Sequence, residues 1–111
     1  MTPILPHHKL KAFGVAMQLL EAVREARIRD CQLRDQAMRA AKSAALNCAE
    51  GAGRVSRADK ARVFAIARAE AVEAAAAVEI AVVAGDAPAE ALGAVFAHAD
   101  RFVAMMTGLI R

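Results

Sequence analysis

Ser43, Cys48, Glu50, His98 and Asp100 are the nucleophile and acid–base types that stand out in this chain. A catalytic site needs such groups within hydrogen-bond reach of one another, at spacings that a fold can enforce. None of the five stands at such a spacing. The glycines of EGAGR do not make a phosphate loop either, because a strand before them and a Lys-Ser or Lys-Thr after them are both missing. His7 and His8 are adjacent, which on a helix points them apart, and His98 is alone near the end of the chain. Glu50 and Glu73 lack the Glu-x-x-His partners of a di-metal centre in a helical bundle. The chain therefore reads as a non-enzyme with no metal and no cofactor.

Polar residues with a regular spacing point instead to packing. Gln36, Ala40, Ser43, Asn47, Glu50 and Arg54 recur at intervals of four, three, four, three and four, a polar-and-small stripe along one helix face. Glu73 lies on a stripe of the next segment with Ile66, Ala77 and Ile80, a position that predicts half-burial. A half-buried carboxylate calls for a cation or donors. Arg39, Asn47 and Arg54 are its candidate partners, and with Glu50 they predict a charge-assisted network that fixes how two helices meet. Gly51 and Gly53 are expected to end the helix, one in a left-handed stop and the other at an unobstructed reversal.

The charge is uneven. The net +3 divides into +6 over residues 1–62 and −3 over residues 63–111. Arg24, Arg27, Arg29 and Arg34 cluster around the first turn, and with Lys42 they are the candidate phosphate contacts. Such contacts give affinity without sequence reading and weaken steeply with salt. With no Trp or Tyr, the chain offers no aromatic platform for stacking bases. The same charge gradient also suits head-to-tail contact between subunits.

The elements that must carry these residues are helices. Apolar periodicity and punctuation predict four, at about 7–27, 31–51, 57–84 and 87–110, with Asp30 and Ser56 as N-caps and Gly85 as a stop. Short connections make consecutive helices antiparallel, so the fold class is all-α, an up-down-up-down four-helix bundle in a single domain. Thirty of the 111 residues are alanine, which buries little area per residue and relies on close backbone approach. Three of the helices carry more apolar face than one core needs, which predicts a homo-oligomer. No apolar run approaches a membrane span and the opening MTPILPHHKL lacks a secretory pattern, so a cytoplasmic protein with reduced Cys31 and Cys48 is expected.

The run RAAKSAALNCAEGAGRVSRADKARVFAIA, with Glu73 beyond it, resembles the four-helix-bundle family of 23S rRNA intervening sequence proteins. Asn47, Glu50, Gly51, Gly53 and Arg54 fall together where that signature has them, and the likeness centres on residues 33–83. Ala69 and Glu70 depart from the family's Gly-Ser pair, and aromatic residues common near the first loop are missing. The resemblance implies an antiparallel bundle that assembles as a homopentameric ring. It also brings in a relative, the accessory protein of diversity-generating retroelements, a basic pentamer that binds nucleic acid and a reverse transcriptase. The resulting expectation is a homopentamer that binds RNA or DNA backbone through a basic face and scaffolds a partner protein such as a reverse transcriptase. The alternative is a self-assembling structural module with no nucleic-acid role.

Overall fold

The computed structural model describes residues 4–111; the first three, part of the opening stretch weighed above for an export signal, lie outside the described residues. A 3-10 turn at Pro6–Lys9 precedes α1 (Lys11–Glu25), α2 (Cys31–Gly53), α3 (Arg57–Val83) and α4 (Ala91–Ile110). Among the described residues there is no strand. Each helix packs on its two neighbours in the order α1, α2, α3, α4 and back to α1, while α1 and α3 barely touch across the diagonal. The chain is thus an antiparallel four-helix bundle, 44 × 33 × 21 Å.

Local chemistry explains most of the ends. The Asp30 carboxylate accepts from the Leu33 N–H at 2.9 Å, and the Ser56 hydroxyl accepts from the Asp59 N–H at 3.1 Å. Each satisfies an amide that the first turn of a helix leaves without a partner. Gly85 closes α3 with φ +82, a conformation that costs a residue without a side chain little. Arg27 performs the same reversal after α1 with φ +50, although it is not glycine.

Three elements differ from the sequence reading. The first helix is divided, because Leu10 is extended (φ −95, ψ 122) between the proline-started 3-10 turn and α1. The last helix starts at Ala91 rather than near residue 87, since Pro88 and Ala89 form a separate turn whose carbonyls accept from Ala91 and Leu92. Neither Gly51 nor Gly53 is left-handed. Both are the last turn of α2, and Arg54, in an extended conformation, caps it.

The core changes character across the bundle. Between α2 and α3 it is a seam of small residues, with Ala37, Ala41, Ala44 and Cys48 facing Ala67, Ala71, Ala74 and Ala81, all fully buried. Side chains this short let two helix backbones approach closely, and α2 with α3 is the most intimate pair in the molecule. Between α1 and α4 the fillers are larger: Leu19, Val95, Phe102 and Met106 are fully buried.

Candidate functional site

The polar stripe of α2 resolves into three separate contacts. Arg39 pairs with Glu73 across the α2–α3 seam at 3.8 Å, with the arginine side chain 72% exposed and the carboxylate 39%. One Glu73 oxygen is shielded from solvent yet accepts no hydrogen bond. Asn47 turns back along its own helix, donating to the Ser43 carbonyl at 2.9 Å and to the Ser43 hydroxyl at 3.0 Å. Arg54 meets Glu50 at 3.7 Å and Asp59 at 3.4 Å. The single network expected around Glu73 is therefore not formed. In an antiparallel pair Glu73 lies opposite Arg39, and the fifteen residues from Arg39 to Arg54 span about 22 Å of helix.

The α2–α3 turn is held by residues outside that stripe. Lys60 reaches back from α3 and donates to the carbonyl of Ala52 at 2.9 Å, so that a cation sits on the negative end of α2. Asp59 receives Arg62 at 2.8 Å as well as Arg54. The hydrogen bond from Arg62 is the main reason its carboxyl sits below the usual aspartate value; slight desolvation opposes this and the charge of Arg54 adds to it. The sequence signal for this cap is the set of basic residues soon after a glycine turn, which the regular polar stripe overshadows.

The candidate phosphate contacts divide as well. Arg29 is tied into the fold, its side chain donating to the Gly85 carbonyl and its N–H to the Asp86 carbonyl at 2.8 Å. These bonds join the first loop to the third. Arg34 lies 3.4 Å from the carbonyl of Ile28, while Arg24, Arg27 and Lys42 are exposed. Arg24 and Lys42 edge a groove between α1 and α2 together with Glu21. Folding also brings Asp86 and Glu90 to the end where Glu25, Asp30 and Asp35 already stand, so four arginines there face five carboxylates.

The opposite end of the bundle is different. The 3-10 turn, the start of α1, the α2–α3 turn and the end of α4 gather Lys9, Lys11, Arg54, Arg57, Lys60, Arg62 and Arg111 around the two carboxylates of Glu50 and Asp59. Arg57 donates to the Arg111 carbonyl at 2.8 Å, which fixes the proximity of the α3 start to the chain end. The N-termini of α1 and α3 meet the C-termini of α2 and α4 at this end, so the helix dipoles offset one another and the side chains set its charge. Of the strong cation clusters, this is the one that the order of residues along the chain conceals.

Among the described residues no three His, Cys, Asp or Glu side chains gather as a metal site would, and no helix is long and apolar enough to cross a membrane. Both cysteines are free thiols, Cys31 exposed and Cys48 buried. The chain matches no curated protein. The family model described as 23S rRNA-intervening sequence protein matches residues 8–108, nearly the whole bundle, and on that extent the chain belongs to the 23S rRNA-intervening sequence protein family.

Proposed function

We propose that the protein is a non-enzymatic homo-oligomer, with a pentameric ring as its expected form, that binds the phosphate backbone of RNA or DNA in the cytoplasm and holds a partner protein beside it. The observation that carries this reading is the surplus of cations at the end built by Lys9, Lys11, Arg57 and Lys60. A field of one sign attracts a polyanion, and a ring repeats it once per subunit. The four arginines of the first loop stand among carboxylates that weaken their field, so the main phosphate surface is assigned to the opposite end rather than to that loop. Assembly is favoured by apolar side chains left in water on helix faces, among them Ile66, Val72, Ile80, Val83 and Phe96.

Fluorescence polarisation with a labelled single-stranded RNA tests it. Binding is expected at low salt, with a decline that is linear in log salt. Lys9→Glu with Lys11→Glu should weaken binding strongly and reduce the salt slope by about 0.7 for each phosphate that is no longer neutralised. Arg27→Glu with Arg34→Glu should weaken it less. Absence of binding at low salt would leave the self-assembling module without a nucleic-acid role.

A further inference from the structure

Two apolar grooves run along opposite faces of the bundle. The order of the helices places the α1/α2 face across the core from the α3/α4 face. Met17, Leu20 and Met38 floor the first groove, and Arg24, Lys42 and Glu21 edge it. The second is floored by Val72, Ala75, Ala76 and Phe96, and its edge carries two carboxylates, Glu79 and Asp100, with no cation. Met17 is 45% exposed, Val72 50% and Phe96 40%. Both grooves lie in the half of the bundle that ends in the first and third loops.

We propose that these faces are the two halves of one interface between copies of this chain, the α3/α4 groove of one copy receiving the α1/α2 face of the next. The inference rests on the homo-oligomeric reading above and names the surfaces that carry it. Charge decides the pairing. Joining the α3/α4 face to itself would bring Glu79 and Asp100 of two copies together at an apolar contact, where like charges are costly, whereas joining it to the other face sets them against Arg24 and Lys42. Size and shape agree: Phe96 is an aromatic anchor, and methionine is the side chain best able to mould around one and to make sulfur–aromatic contacts. A contact between two different faces propagates from copy to copy, and it closes into a ring when the turn between neighbours divides a full circle. Arg24 and Lys42 then serve the subunit contact, leaving phosphate to the opposite end.

The test uses two variants of the full chain, each blocking one face with an exposed substitution: Phe96→Glu on the α3/α4 groove and Met17→Glu on the α1/α2 groove. Helical content by circular dichroism checks that both fold. By light scattering, each variant alone should fall to the 11.7 kDa of a single chain. Mixed in equal amounts they should form a two-chain species and stop there, because each retains the face the other lacks. Assembly of Met17→Glu like the wild type, or a mixture that stays as single chains, overturns the pairing of faces. A wild-type chain that is itself monomeric overturns the homo-oligomeric reading, and the pairing with it.

Discussion

Gly51 of α2 lies directly against the ring of Phe64 of α3: a Cβ at Gly51 would stand 2.6 Å from two atoms of that ring. The glycine therefore makes room at a helix crossing and does not end the helix. Phe64 is 4% exposed and packed in the core, so the ring must shift against its neighbours to admit a methyl group. Gly51→Ala should destabilise the fold, since overpacking of this kind costs about 1–3 kcal/mol against the ~1 kcal/mol that alanine gains over glycine inside a helix. Urea denaturation measures the difference. Adding Phe64→Leu should recover part of the stability, and a double variant no better than the sum of its parts would deny the contact.

Arg27 holds a backbone conformation that suits glycine. Arg27→Gly should stabilise the protein by about 0.5–1 kcal/mol, because the left-handed region costs an L side chain about 1–2 kcal/mol, less the roughly 0.4–1 kcal/mol of entropy that glycine adds to the unfolded chain. A thermal melt in which Arg27→Ala gains as much as Arg27→Gly would argue against strain at this residue.

Asp59 links stability to pH. Its folded pKa is lowered, first by the hydrogen bond from Arg62, so the charged form is favoured in the folded state. Its contribution is present above the unfolded value of 3.8 and is lost as pH falls through the folded one. A third of the side chain is open to solvent, which screens the pair and keeps the effect small. Asp59→Asn should melt slightly below the wild type at neutral pH, and the two melting curves should converge on acidification. A gap that persists in acid would assign the destabilisation to something other than the carboxylate charge.

Cys48 lies fully inside the alanine seam, and burial pushes its thiol up to about 11. It is protonated and shielded at neutral pH, so a thiol reagent should label Cys31 quickly and Cys48 only at the rate at which the bundle opens. Urea should bring the two rates together. Equal labelling of the native protein would show that the seam is not closed.

Some of these features are legible in the sequence and others are hidden for physical reasons. Asp30 and Ser56 are readable as caps because an N-cap is local chemistry, complete within three residues. The alanine stripes of α2 and α3 declare a close pair through their helical period alone. Gly51 reads as a helix stop, yet its role is set by Phe64, thirteen residues away and on another helix. Arg54 looks like a partner for Glu73 only for want of the register between antiparallel helices, which chain order does not state. The cation surface is concealed for a related reason: Lys11, Arg57 and Arg111 lie far apart along the chain, and only the fold makes them neighbours.

The small-residue seam sets an uneven tolerance to change along the chain. At Ala41, Ala44, Ala71 and Ala74 a side chain more than one heavy atom larger would prise the two rods apart, so a survey of every single substitution would record a narrow palette there, scarcely wider than glycine, serine and cysteine. A few ångströms away, on the outward faces of the same helices and clear of the two grooves, almost any polar residue would pass. Inheritance of this shape is guarded along one line of methyl groups and permissive around it.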